Sequence, residues 1–310
     1  MQMLSTLRIV VLLVGLCTPT IVLNVLQFVS LAMMPFAPKT TAAFNCLCAW
    51  FVWRVLQEIF ERLDRAKVTF SGDHLPDGEN ALIISNHVGF SDFFLIHTQA
   101  YRRKMLGNCK YFAKDSLKWI PLFGWGMWAM GMPFMARNWL SDSKTIAKVF
   151  ANIKDLELPV WLISYLEGTR FTAEKVPESH AFAKDKGLPQ LDRVLLPRTK
   201  GFIATVNAFR KSHVKHVYDF TIVYKHVTKG LQHSPSLLRV FAGSLDREYK
   251  FHVHVKRYAL DSLPTDPEKL TQWAMERYQE KDVLLKGMAE SWTDKLTLRV
   301  DTWPTDLVST

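Results

Sequence analysis

The segment Asn86-His87-Val88-Gly89-Phe90-Ser91-Asp92 sets a histidine and an aspartate five residues apart, directly after the apolar run Ala81-Leu82-Ile83-Ile84. A buried strand ending at Asn86 and a helix opening at Ser91-Asp92 would carry the imidazole to the strand's carboxyl edge. Open α/β sheets place their ligands there. The carboxylate in the first helical turn can fold back onto the imidazole, fix its tautomer and stabilise its protonated form. One ring nitrogen then stays free to take a proton from a hydroxyl. An imidazole titrates near pH ~6.5, which suits a general base working near neutrality. Such a pair also occurs in purely structural settings, so its meaning depends on what accompanies it.

Three further segments accompany it. Gly131-Met132-Pro133-Phe134-Met135-Ala136-Arg137 closes a second strand with an arginine. Tyr165-Leu166-Glu167-Gly168-Thr169-Arg170 closes a third, and Leu195-Leu196-Pro197-Arg198-Thr199-Lys200-Gly201 leads into a helix. In this order and at this spacing the four segments resemble the glycerophospholipid acyltransferase family over residues 65–290. Phe112-Ala113-Lys114, Pro121-Leu122-Phe123-Gly124-Trp125, Tyr218-Asp219 and the tail Trp273-Ala274-Met275-Glu276-Arg277-Tyr278 are similar to its eukaryotic branch. That branch holds lysophosphatidic acid, lysophosphatidylinositol and lysocardiolipin acyltransferases.

The resemblance implies roles. His87 would be the general base that deprotonates the free hydroxyl of a lysophospholipid, and Asp92 its partner. The oxygen would attack the thioester of acyl-CoA, a co-substrate; no cofactor and no metal is expected. Backbone amides at the start of the following helix are candidate oxyanion donors. Arg137 and Arg170 would clamp the acceptor's phosphate, because guanidinium forks match phosphate oxygens. Glu167 would orient an arginine or hydrogen-bond the glycerol, the alternative being a local ion pair with Arg137. Gly168 permits close backbone approach. Thr169 is either a ligand contact or a strand-end hydrogen bonder. Pro197 suits a turn beside the acyl site, and Lys114 and Lys200 are either CoA-phosphate contacts or solvated lysines. Val88-Gly89-Phe90-Ser91 replaces a more polar insert, and Met135-Ala136 fills an Ile-Asp-like slot, so acceptor preference stays open.

Lysophosphatidic acid is the default acceptor, with lysophosphatidylinositol or lysocardiolipin remodelling as alternatives. A transacylase drawing on intact phospholipid and a non-catalytic membrane lipid-binding protein are the rival readings. A hydrolase is disfavoured, because no Ser or Cys sits in an elbow motif. The resemblance implies the endoplasmic reticulum, with the catalytic domain facing the cytosol, or a mitochondrial membrane.

These residues need a scaffold. The 310-residue chain has a net charge of +10, which suits an anionic lipid or phosphorylated substrate, and nucleic-acid signatures are missing. From Ile9 to Pro38 no residue is charged, a run longer than the ~20 residues that cross a bilayer. A signal peptide is the competitor, with Arg8 as its basic flank. Apolar positions from Phe44 to Leu63 recur at helical spacing, giving a hairpin or a span plus an interfacial helix. Residues 1–64 are thus expected to be a membrane-anchoring helical segment and 65–310 the acyltransferase domain. Strands are expected at 81–85, 132–136, 160–165, 218–224, 238–242 and 251–258. Helices are expected at 91–100, 141–153, 201–210 and 267–289, and a polar surface loop at 176–193. This alternation predicts an α/β fold: a mixed, largely parallel sheet flanked by helices. The charge-free stretch between Lys118 and Arg137, with Trp119, Trp125 and Trp128, reads as core, acyl groove or membrane-facing surface. Cys17, Cys46, Cys48 and Cys109 form neither a metal pattern nor a disulfide framework. His252 and His254 read as a solvated strand face, and His97 as a packed or rim histidine.

Overall fold

A computed structural model of the chain describes residues 2–136 and 139–291. Helices α1 (Gln2–Leu31) and α2 (Pro38–Gln57) come first, and α2 runs into a π-helical turn at Glu58–Leu63. Then follow β1 (Val68–Gly72), β2 (Ala81–Ser85), α3 (Asp92–Arg102), β3 (Cys109–Tyr111), β4 (Ala113–Lys114), α4 (Phe123–Ala129) and β5 (Phe134–Met135). The second half comprises α5 (Trp139–Asp155), β6 (Trp161–Tyr165), α6 (Val176–Lys186), α7 (Thr199–Phe209) and β7 (His216–His226). It ends with β8 (Gly230–Leu231), α8 (Leu237–Ala242), β9 (Tyr249–Ala259) and α9 (Pro267–Ser291).

The main sheet has the order β1-β9-β7-β2-β6-β3, with β8 hairpinned onto β7. Only β9 against β7 and β8 against β7 are antiparallel, so the sheet is mixed and largely parallel. Every residue of β2 is buried, as expected of a central parallel strand covered on both faces. Side-chain parity assigns the faces. Ala81, Ile83, Trp161, Ile163, Tyr218, Phe220, Ile222 and Tyr224 face the layer containing α2 and α3. Leu82, Ile84, Leu162, Val217 and Val223 face α5, α7 and α9.

Several expectations need correction. Residues 237–242 are helical: Ser236 caps the segment by accepting the Arg239 amide at 3.2 Å, and an apolar hexapeptide takes its state from such a cap. Residues 176–186 of the expected loop form α6, closed by Gly187 at φ +62°, the left-handed position that favours glycine. The expected strand at 132–136 is reduced to Phe134–Met135, which pairs with β4 in a separate two-stranded sheet. His252 is buried and bonds Thr69 Oγ1 (2.8 Å) and Ser71 Oγ (2.7 Å) instead of facing solvent. The four cysteines are free.

The N-terminal helices share the domain's core: Leu16, Leu56, Ile59 and Phe60 join the sheet residues in one cluster. Buried Gln57 donates to Phe94 O (3.2 Å) and Thr98 Oγ1 (3.0 Å) of α3. Arg8 of α1 pairs with buried Asp64, while Gln27 of α1 donates to Asn45 O (3.4 Å) and Gly126 O (3.5 Å). Helix α1 is therefore docked on the domain near both ends, although its Ser5–Leu31 stretch is long and apolar enough to cross a membrane.

His97 is fully buried among Trp53, Phe93 and Tyr111, and this burial lowers its pKa to about 3. The unfolded chain takes up a proton below pH ~6.5 and the folded protein does not, so stability must fall with acidification. His97→Phe should remove about 2 kcal/mol of the stability loss between pH 7.5 and 5, read from thermal unfolding at each pH. An equal loss in both proteins would show that His97 is not the neutral group it is taken to be.

Candidate active site

Strands β2 and β6 run parallel in a register that pairs Ala81 with Trp161 and Ser85 with Tyr165. The same register brings His87 and Glu167 level just past the carboxyl edge. Asn86 makes the transition: its side chain replaces a rung of the ladder, donating to Ile222 O (2.9 Å) and accepting the Ile222 amide (2.7 Å). The backbone can then leave β2 without stranding polar groups of β7.

His87 Nδ1 lies 2.7 Å from Asp92 Oδ2. The aspartate side chain is 1% exposed and the histidine 20%. Asp92 also accepts the Val88 amide (2.8 Å), the Gly89 amide (3.0 Å) and the Tyr224 hydroxyl (2.8 Å). A carboxylate with four donors around it is an acceptor, so Nδ1 carries the proton. Nε2 has no protein partner among the described residues. Gly89 abuts Ser234, leaving no room for a side chain, and Ser91 Oγ donates to Pro235 O (2.9 Å). The Tyr165 ring stacks on the imidazole with centroids 4.2 Å apart, and burial pushes its phenol well up.

Glu167 is turned into the protein, with a backbone amide on each carboxylate oxygen. It is 1% exposed; Oε1 accepts the His87 amide (2.9 Å) and Oε2 the Leu195 amide (3.1 Å). Burial pushes its pKa up to about 8, against the pull of those two amides. It is an internal strut that ties the turn after β2 to the segment before α7. Phe171 N donates to His87 O (2.7 Å) and Arg198 N to Leu166 O (2.7 Å), so three of the four sequence segments meet around one histidine.

Gly168 adopts φ +67°, and the Arg198 side chain lies over it: a Cβ there would sit 3.1 Å from Arg198 Cδ. Arg170 is exposed, and the next residue, Phe171, is the one whose amide is tied to His87 O. Thr169 Oγ1 accepts from Lys175 Nζ (2.8 Å), which also donates to Arg170 O (2.8 Å). Thr169 is thus engaged within the turn. Pro197 is half-buried between tethered Leu195 and Arg198. Lys114 stands exposed on β4, and Lys200 is exposed in the first turn of α7. Arg137 lies outside the described residues.

Sequence reasoning missed Tyr224 and Arg198. Strand parity from Tyr218 would have placed Tyr224 on the face of α3. The adjacency of Arg198 to Gly168 depends on tertiary pairing and left no local trace.

The acyltransferase family model matches residues 67–225 and a model of the acyltransferase C-terminus matches 245–295. The chain belongs to the acyltransferase family. It is 34% identical over 268 residues to the 1-acyl-sn-glycerol-3-phosphate acyltransferase gamma of Homo sapiens, covering 85% of this chain and 69% of that one. It is 36% identical over 227 residues to the probable 1-acyl-sn-glycerol-3-phosphate acyltransferase 5 of Arabidopsis thaliana, covering 73% and 58%. Among solved structures, the 1-acyl-sn-glycerophosphate (LPA) acyltransferase PlsC of Thermotoga maritima aligns over 88% of this chain and 98% of its own. The TM-score is 0.48 at 14% identity.

Asn86→Ala should lower stability by about 2–4 kcal/mol, because both Ile222 backbone groups lose their partner in a buried setting. Denaturant titration measures this. A loss below about 1 kcal/mol would mean that the amide does not stand in for the missing rung.

Proposed function

We propose that this protein is a membrane-bound, acyl-CoA-dependent O-acyltransferase that esterifies the free hydroxyl of lysophosphatidic acid to give phosphatidic acid. The observation that carries the reading is the His87–Asp92 pair at the sheet's rim. Its Nε2 is free of protein partners and the exposed guanidinium of Arg170 follows in the adjoining turn. The names of the relatives support the acceptor.

In this mechanism His87 Nε2 takes the proton of the acceptor hydroxyl as its oxygen attacks the thioester carbonyl. Asp92 holds the tautomer and stabilises the imidazolium. The tetrahedral oxyanion collapses, the C–S bond breaks, and the imidazolium returns the proton to the departing CoA thiolate. Arg170 is assigned to the phosphate, joined by Arg198; no carboxylate pairs with either among the described residues. Arg137 completes the clamp in this reading, and Lys114 meets the CoA phosphates. Gly168 and Pro197 shape the turns beneath them.

Purified protein should release CoA from oleoyl-CoA only when lysophosphatidic acid is present. His87→Ala and Asp92→Asn should lower kcat at least ~10²-fold with the fold retained. Arg170→Ala should raise the KM for the acceptor far more than that for acyl-CoA. Undiminished turnover in either pair variant would remove the general-base assignment.

The membrane contact is read from apolar exposure. Val10, Val14, Val22, Val25 and Val29 of α1 are exposed, as are Leu47, Phe51 and Val55 of α2 and Trp119, Trp125 and Trp128 beside them. Phe28 and Trp128 rings lie 6.2 Å apart, joining these surfaces. A patch of this kind, carrying interfacial tryptophans beside a helix of membrane-spanning length, is assigned here to the membrane. In this reading α1 stays docked on the domain and its exposed side chains meet the bilayer. The resemblance points to the cytosolic leaflet of the endoplasmic reticulum. Bromine-labelled acyl chains should quench the protein's fluorescence, and replacing Trp119, Trp125 and Trp128 with Phe should remove a large part of that quenching. Unchanged quenching would take this surface out of the bilayer.

A further inference from the structure

The turn after β6 carries, besides Arg170, a cation that no carboxylate neutralises. Lys175 ends the short helical turn Ala173–Lys175 that leads into α6. Its backbone is fixed: its amide donates to Thr172 O (3.0 Å), and Pro177 stands in the first turn of α6. Its ammonium donates to Thr169 Oγ1 (2.8 Å) and to Arg170 O (2.8 Å). Among the described residues no carboxylate pairs with it. Lys256, Lys281 and Lys286, by contrast, each meet one.

Two neutral oxygens therefore hold this half-buried side chain in place without cancelling its charge. An ammonium has three N–H donors, so one remains for a ligand. The position is also tied to the base. Arg170 O and Phe171 N belong to one peptide unit: its oxygen accepts from Lys175, and its N–H donates to His87 O (2.7 Å). A single planar peptide thus separates the ammonium from the backbone of His87.

A phosphate monoester has three terminal oxygens and a second negative charge near neutrality, its second pKa being about 6. A diester has two such oxygens and one charge. The guanidinium forks assigned above grip oxygens two at a time, whereas a lysine is a point charge. It suits the single remaining oxygen, the one that a diester has esterified. We propose that Lys175 is a specificity-determining contact for the acceptor's headgroup: it binds the third phosphate oxygen and makes the site prefer a phosphate monoester over a diester. The proposal rests on the acyl-transfer reading above, in which Arg170 holds that phosphate.

In the wild-type protein kcat/KM for lysophosphatidic acid should exceed that for its methyl phosphodiester by at least about 10-fold. Lys175→Met should lower this ratio by about 10-fold or more, the effect of losing one hydrogen bond to a charged group. The KM for acyl-CoA should not move. Lys175→Arg keeps the charge and should keep the preference. Thr169→Val removes one of the two oxygens that hold the ammonium, and should lower the ratio in the same direction by less. Any loss that the two acceptors share reports the turn; the fall in their ratio reports the contact.

The test is CoA release by the full chain in lipid nanodiscs, with oleoyl-CoA and each acceptor in turn, beside thermal unfolding of each variant. Where the diester is not turned over, its inhibition constant against the monoester supplies the comparison. A ratio that falls in Lys175→Met and holds in Lys175→Arg establishes the proposal. An unchanged ratio, or a wild-type protein that does not prefer the monoester, overturns it while leaving His87 in place. If Lys175→Met does not fold, Thr169→Val decides: a lowered ratio supports the contact and an unchanged one removes it. An active His87→Ala protein would instead sink the reading on which the proposal rests.

Discussion

Asp92 sits at 1% exposure in the middle of the fold, where an ionised carboxylate is costly unless its lone pairs are used. Here they are used by the imidazole of His87, two backbone amides of the turn after β2, and the hydroxyl of Tyr224 on β7. That demand shapes the neighbourhood. The turn must direct the amides of Val88 and Gly89 inward, and β7 must extend far enough past the edge to deliver Tyr224. The segment around Ser234 must close over Gly89. Once they are met, the imidazole has one orientation and one free nitrogen. The arrangement that satisfies a buried charge is also the one that leaves a ring nitrogen open at the rim.

Parallel pairing brings distant segments to this point. His87 and Glu167 are eighty residues apart in sequence, yet the β2–β6 register sets them level. Two backbone links, Phe171 to His87 and Arg198 to Leu166, lock the turn after β6 against its neighbours. Parallel strands need long crossovers; here those crossovers become the site, because each strand ends at the same rim. The antiparallel β9 lies between β7 and the edge strand β1.

Much of this was legible because burial leaves a pattern. Ala81–Ser85 is continuous and apolar, and Trp161–Tyr165 nearly so; central strands look like this whatever their neighbours. The His-Asp pair was legible because both members lie on one turn. Three features were not. Strand β1 carries little signal because its one partner, β9, lies about 180 residues away in the sequence, and Val68–Gly72 is only partly buried. Residues 237–242 could be strand or helix until Ser236 capped them. Glu167 shows most about what sequence hides. An acidic residue between a strand and Gly-Thr-Arg reads as a ligand contact, but its environment comes from the amides of His87 and Leu195, and no local pattern encodes those.

The two faces of the sheet give the imidazole unlike surroundings. On one side a run of rings leads away from it: His87 to Tyr165 at 4.2 Å, Tyr165 to Tyr111 at 6.4 Å, Tyr111 to His97 at 5.8 Å, His97 to Trp53 at 5.1 Å. It ends on α2, whose outer face carries the exposed Leu47, Phe51 and Val55. Burial pushes the phenols of Tyr111 and Tyr165 well up along this path, the mark of a medium that disfavours charge. On the other side lie Glu167, Asp219 and Lys281, a compact set of buried charges under α9. The histidine stands where an aromatic wall meets buried polar side chains, and that boundary exists because α2 and α9 cover opposite faces of one sheet.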